Sequence, residues 1–240
     1  MSSLTKRLLF PLLPAGMIRA LRKKHYLRKF QELTGSDEPE MKVIASLIKH
    51  GDHVLDIGAN FGAYTKFLSE AVGELGSVNA FEPIPEVFGY LESNVKSLSC
   101  KNVTLHNCAL SDKSGEAEFT IPKFDHSGEN FYEAHLTEGT GDIKVHVKRL
   151  DELELPEKVS FIKCDVEGAE INVLKGAKAF IYKHRPVWML EMNEGTESIT
   201  AKEIISFLES YNYKLKFLGN EVLTDKSSSF QGVNYFFIPE

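Results

Sequence analysis

From about residue 37 onward, short apolar runs and segments with helical spacing follow one another along the chain. Asp37 and Pro39 mark a helix start, "EMKVIASLIKH" keeps its apolar residues three and four apart, and Gly51 ends the run. The apolar strand "HVLDI" leads into the helical "AYTKFLSEAV", and "SVNAF", "PEVFGYLESNVKSL" and "VTLHNCAL" repeat the order of strand, helix and strand. Such repeats predict a parallel sheet, because parallel neighbours need a crossover and the crossover helix covers a sheet face. The middle of the chain breaks this rhythm. There "GEAEFTI" and "IKVHVKRL" alternate like a β pair around the polar, glycine-rich "PKFDHSGENFYEAHLTEGTGD", residues 122–142. A connection that long inside a domain marks a functional or mobile segment, here assigned to the substrate side. The alternation returns with "VSFIKCDV", "GAEINVLKGAKAFIYKH", "PVWMLEM", "SITAKEIISFLESY", "YKLKFLG" and "NYFFIP". The whole predicts a Rossmann-like, doubly wound α/β fold: a mostly parallel seven-stranded sheet with helices on both faces and its ligand at the carboxyl ends of the first strands.

Composition adds a division of charge. The chain of 240 residues is 42 % apolar and 26 % charged, which suits one soluble core. Its net charge of −6 is unevenly spread: up to Gln31 there are eight Lys or Arg and no acid, leaving 20 bases against 34 acids beyond. Residues 1–36 read as a basic arm or helix, and 37–240 as the α/β domain. The acidic body excludes nucleic acid as a partner, since phosphate backbones need dense basic surfaces. The arm's "RALRKKHYLRKF" suits either peripheral contact with anionic membrane through residues 1–30 or a helix docked beside the core. The apolar "KRLLFPLLPAGMI" is broken by Pro11 and Pro14 and is not read as a cleaved leader. Cys100, Cys108 and Cys164 form no CxxC pair, so reduced thiols and a cytoplasmic setting are expected, at the membrane surface if the arm binds there. The sequence does not set the oligomeric state.

The stretch "VLDIGANFGAYT" narrows the chemistry. A glycine turn after the first strand of such a sheet lets backbone approach a ligand. A triphosphate loop requires Lys-Ser/Thr after the last glycine, whereas Ala63 and Tyr64 follow Gly62. A dinucleotide fingerprint needs three glycines, and Gly58 and Gly62 supply two. Asp56 would repel a pyrophosphate and attract an ammonium group, which favours S-adenosylmethionine over a nicotinamide dinucleotide. Glu82, 24 positions after Gly58, stands where this fold offers an acid to ribose hydroxyls, a feature both cofactors share. A nicotinamide-dependent oxidoreductase and a non-catalytic binding module on the same fold are the rival readings.

These residues resemble the FkbM-type methyltransferases, a branch of the class I adenosylmethionine-dependent family. The similarity runs through "VLDIGANFGAYT", "AFEPIPEVFGYLESNV", "LHNCALSDKSGEAEF", "IKCDVEGAEINVLKGA" and "PVWMLEMNE", over roughly residues 40–195. It implies S-adenosyl-L-methionine as methyl donor and transfer to a hydroxyl of a sugar, glycolipid or natural product. It also implies that Asp56, Gly58, Asn60, Gly62 and Glu82 form the cofactor cradle. By the same resemblance Asn107, Ala109 and Leu110 enclose the adenine, and Asp165 faces the methionine end. The acceptor, small or linked to glycan or lipid, is not implied, because "SGENFYEAHLTEGTG" departs from the family pattern.

An alcohol acceptor needs a base or a metal that lowers its pKa. Asp165, Glu167 and Glu191, at or just beyond strand ends, are the candidate catalytic carboxylates. Glu167 also has a capping role open to it, and Glu170 reads as a helix-surface residue. Asp165 with Glu191 and Asn193 resembles the oxygen ligands of catechol-type methyltransferases, which would suit magnesium. The eight histidines show no zinc spacing, and His126 and His135, with Phe131 and Tyr132, fall in the long loop. Lys163 points to the same side of its strand as Asp165 and is open to substrate contact or a buried ion pair.

Overall fold

The computed structural model describes residues 15–34, 38–120, 123–124, 128–129, 135–137, 141–219, 221–225 and 232–240. Asp37, His126, Phe131 and Tyr132 lie outside the described residues, as does the side chain of His135.

The helices are α1 (Ala15–Glu32), α2 (Pro39–Leu47), α3 (Ala63–Val72), α4 (Pro85–Ser97), α5 (Glu170–Lys175), α6 (Lys178–His184) and α7 (Ile199–Glu209). The strands up to the long connection are β1 (His53–Ile57), β2 (Ser77–Phe81), β3 (Val103–His106), β4 (Ala109–Leu110) and β5 (Gly115–Thr120). Then come the short β6 (Lys123–Phe124), β7 (Gly128–Glu129) and β8 (His135–Thr137), followed by β9 (Ile143–Lys148) and β10 (Phe161–Cys164). The last are β11 (Val187–Glu191), β12 (Tyr213–Gly219), β13 (Val222–Thr224) and β14 (Asn234–Pro239).

The main sheet runs β13-β12-β14-β11-β10-β1-β2-β3. The five strands from β3 to β11 are parallel, while β14 pairs antiparallel with β11 and β12, and β13 antiparallel with β12. The sheet is therefore mixed and has eight strands, which corrects the expected count of seven. The extra strand β13 spans only Val222–Thr224, too short to display an alternation. Both faces are covered. Leu55, Ile57, Ile162 and Trp188 pack under α5, α6 and α7, while Val54, Phe161, Met189 and Phe236 pack with residues of α2 and α3.

Two expected elements are divided. "VTLHNCAL" ends as β3 at His106 and re-enters a second sheet, ordered β4-β9-β5-β8, at Ala109. Between them Asn107 donates its Nδ2 to the carbonyls of Glu82 at 2.9 Å and Pro83 at 3.1 Å, which turns the chain aside. The expected pair "GEAEFTI" and "IKVHVKRL" forms as the antiparallel β5 and β9 of that second sheet. The long helix after β10 breaks into α5 and α6 at Gly176, whose backbone lies so close to Ser111 that a Cβ would sit 2.0 Å from the Ser111 carbonyl oxygen.

Helix α1 is docked. Its Tyr26 ring stacks on Phe61 with centroids 4.0 Å apart, and Phe30, 3 % exposed, joins Phe61, Ile84, Val87 and Tyr90 in an apolar cluster. Past its end, the Leu33 carbonyl accepts from Lys66 Nζ at 2.9 Å. Among the described residues no helix is long and apolar enough to cross a membrane. Phe30→Ala is expected to cost about 3–5 kcal/mol in urea unfolding, the magnitude for emptying a buried aromatic site. A change under about 0.5 kcal/mol, as for a surface residue, would show the helix to be undocked in solution.

Candidate active site at the carboxyl edge of the sheet

A cavity of about 250 Å³ opens at the carboxyl ends of β1, β2 and β10, where Gly58, Asn60, Glu82 and Asp165 line it. The second sheet closes its other side through Ala109, Leu110 and Phe119, with Cys108 and Ser111 beside them. A second cavity of about 350 Å³ adjoins it and shares Glu167 and Glu191. It extends along Asn193, Glu194, Ser198 and Thr200 toward α7.

The parallel register of β1 and β10 sets Asp56 beside Lys163. Asp56 is fully buried and does not line the cavity. Its Oδ2 accepts from Thr65 Oγ1 at 2.5 Å, and Oδ1 lies 3.8 Å from Lys163 Nζ. The same ammonium donates to the Gly58 carbonyl at 2.8 Å, pairs with Asp165 Oδ2 at 3.1 Å and stands over the Tyr64 ring. Burial opposes the charge on Lys163, but Asp165 and then Asp56 outweigh it and hold the lysine above its ordinary pKa. Burial pushes the Asp56 carboxyl up, while Lys163 and Thr65 pull it down. The expected ammonium partner of Asp56 is thus supplied by the protein itself, and the carboxylate shapes the turn from behind.

The glycines serve the protein as well. At Gly58, with φ +76°, a Cβ would lie 1.7 Å from the Asp165 carbonyl oxygen, so β1 and β10 meet only over a bare backbone. Gly62, with φ +96°, precedes α3 and does not line the cavity. Asn60 takes the left-handed conformation between them, with φ +49°. Its side-chain oxygen is buried without a hydrogen-bond partner beside the cavity.

Glu82 is 4 % exposed and doubly held: Oε2 accepts from the Asn60 amide at 3.0 Å and Oε1 from the Ile84 amide at 2.9 Å. Burial raises its pKa to about 7 in spite of those donors. Asn107 does not line the cavity and acts on it through the carbonyls of Glu82 and Pro83. Ala109 and Leu110 do line it.

Beyond Asp165 the chain turns through two left-handed residues, Glu167 at φ +52° and Gly168 at φ +91°. Glu170, expected on the helix surface, is instead 3 % exposed, and its Oε1 accepts from the amides of Val166 at 3.0 Å and Gly168 at 3.3 Å. It pins the turn that presents Asp165 and Glu167. Oxygens of Asp165, Glu167 and Glu191 lie within 4.8 Å of one another. Burial, and then the negative charge of Asp165, raises Glu191 to about 8. Asn193, the third residue of the set expected for magnesium, donates its Nδ2 to Glu191 Oε2 at 3.1 Å. Sequence reasoning missed the roles of Thr65, Glu170, Phe119 and the second cavity. Only the unusual acid of Glu170 inside an otherwise helical apolar pattern offered a signal.

A doubly wound α/β sheet with an acid-held, apolar-walled cavity at its carboxyl edge defines a Rossmann-like domain whose cavity suits a ribose-bearing ligand. Residues 56–215 match the Methyltransferase FkbM domain, and the chain belongs to the FkbM methyltransferase family. Membership of that family sets the nicotinamide reading aside. It is 28 % identical over 230 residues to the 2-O-methyltransferase NoeI of Sinorhizobium fredii, covering 85 % of this chain and 91 % of that one. It is 28 % identical over 152 residues to the Hexuronic acid methyltransferase AglP of Haloferax volcanii, covering 62 % and 59 %. The crystal structure of methyltransferase FkbM from Methylobacillus flagellatus superposes with a TM-score of 0.54 at 16 % identity, covering 93 % of this chain and 60 % of that one. The chain spans 57 to 60 % of the length of several proteins it matches.

The residues present fit adenosylmethionine. The Glu82 carboxylate offers acceptors for ribose hydroxyls, Pro83, Ile84 and Leu110 give an apolar slot, and the orphaned Asn60 oxygen and Asp165 suit an ammonium. Two outcomes follow. Lys163→Met leaves the buried Asp56 carboxylate uncompensated and is expected to destabilise the fold by about 3–5 kcal/mol in denaturant unfolding. Binding of methylthioadenosine, which carries the ribose without the amino-acid end, requires an ionised Glu82. With that pKa near 7, calorimetric affinity is expected to fall roughly ten-fold per pH unit below 7 and to level off above it. Glu82→Gln is expected to bind more weakly, with no pH dependence over that range.

Proposed function

We propose that the chain transfers a methyl group from adenosylmethionine to a hydroxyl oxygen of a neutral carbohydrate, free or carried on a lipid or natural product. The observation that carries this reading is the Asp165 and Glu191 pair at the junction of the two cavities. Bound adenosylmethionine supplies a methyl group activated by its sulfonium. The chain's part is to fix the acceptor in line with that methyl and to take the hydroxyl proton. Glu191 lines both cavities and has a pKa raised to about 8, so it is a stronger base than an ordinary carboxylate once ionised. The negative charge of Asp165 beside it helps keep a proton on Glu191 below that pH. Glu167 stands at the same junction and steers the acceptor.

The names of the relatives, a 2-O-methyltransferase and a hexuronic acid methyltransferase, support oxygen on a sugar as the target. The second cavity favours a neutral sugar over a uronate. Its described lining holds Glu167, Glu170, Glu191 and Glu194 with Asn193, Ser198 and Thr200, and among the described residues neither cavity is lined by Lys or Arg. Hydroxyl and amide groups there suit sugar hydroxyls, and the acids repel a second carboxylate. The unpaired cysteines suit a reducing compartment, so we place the enzyme in the cytoplasm.

With radiolabelled adenosylmethionine and a panel of glycosides, transfer to neutral glycosides is expected to exceed transfer to the matching uronides by about ten-fold or more. For the accepted glycoside, kcat/KM should rise through an apparent pKa near 8, because the base works only when ionised. Glu191→Gln should lose that limb and lower kcat by roughly 10²-fold or more. Activity is expected to survive a chelator; its loss would assign the carboxylates to a hard ion such as magnesium. Transfer to none of the glycosides, in a protein that binds adenosylmethionine, would overturn the carbohydrate reading.

A further inference from the structure

Helix α1 presents two unlike faces. Tyr26 and Phe30, four residues apart, pack on the core, and Arg22, a further turn back, reaches the Tyr90 hydroxyl. The opposite face carries Met17, Leu21, Lys24 and Arg28, whose spacing of three and four residues sets them in one line. Met17 and Leu21 are 51 % and 45 % exposed, among the few large apolar side chains so displayed. Lys24, and Lys23 and Lys29 nearer the docked face, are exposed and without an ion pair to any described residue, and Arg28 has only the exposed Glu32 at 3.1 Å. The sequence up to Gln31 contains no acid.

We infer that this outer face of α1 is a seat for an anionic lipid bilayer. Two exposed apolar side chains lead into two cations along one line, so the first pair can enter the acyl boundary while the second meets lipid phosphate. A polyanion such as RNA would use the cations and leave Met17 and Leu21 without a purpose. The charge contrast with the acidic body orients the molecule, since only the α1 side is attracted to a negative surface. Removing residues 1–30 is a poor test, because Tyr26 and Phe30 would leave Phe61 and Tyr90 uncovered. Substitutions on the outer face avoid this.

The full chain is mixed with vesicles of phosphatidylcholine alone, or with one part in three phosphatidylglycerol, and bound protein is measured by flotation. Binding to the anionic vesicles only is expected, weakened by salt. Met17→Ser with Leu21→Ser, and separately Lys24→Glu with Arg28→Glu, should each lower partitioning by about ten-fold. Circular dichroism and S-adenosylhomocysteine affinity should stay unchanged in both variants, which separates this surface from the cofactor site. Equal flotation with neutral and anionic vesicles, no flotation with either, or equal flotation of wild type and variants would each overturn the inference. Tighter binding to polyuridylate than to the vesicles, or an arm-dependent dimer in light scattering, would overturn it in favour of a polyanion or a second copy.

Discussion

One buried ammonium ties the site together. Lys163 Nζ lies among the carboxylates of Asp56 and Asp165 and the carbonyl of Gly58, which together frame the floor of the cavity. Burying Lys163 or Asp56 alone would cost several kcal/mol, and the two are tolerable because they compensate each other. Asp56 anchors the turn after β1 from beneath, and Asp165 is left facing the cavity. The tight meeting of Gly58 with the Asp165 carbonyl then follows, since the lysine draws both strand ends to one point.

The second sheet turns an open edge into a cavity. In a doubly wound sheet the carboxyl edge is a crevice, and here Ala109, Leu110 and Phe119 supply the missing wall. Glu82 stands between the two structures. Its carboxylate binds the Asn60 and Ile84 amides, so the group suited to ribose also fixes the backbone on both sides of it. A preformed acceptor of this kind carries strain as a raised pKa, and a ligand's hydroxyl donors would relieve it.

Much of this could be read in the chain. The strands from "HVLDI" to "PVWMLEM" declared themselves because buried parallel strands are apolar runs between glycine and proline signals. The turn containing Gly58 and Asn60 meets Glu82 and Asp165, as the order of the sheet requires. Direction was harder to read. Residue type placed a carboxylate at Asp56 and left a buried ion pair open at Lys163, but did not join the two across 107 positions, because register between distant strands leaves no local mark. Glu170 looked like a helix-surface acid because its partners are backbone amides, which a sequence does not display. Strand β13 and the bend at Asn107 were too short for any period, and the docking of α1 depends on two aromatic residues among many charges.

The hydrogen bond from Lys163 to Gly58 joins residues 105 positions apart. Closing so long a loop is entropically slow, and it must happen before the cradle exists at all. The floor of the cavity is therefore complete only once β1 and β10 have paired. A ligand bound there recognises only molecules whose central strands have already found each other, and it reports on completed folding rather than guiding it.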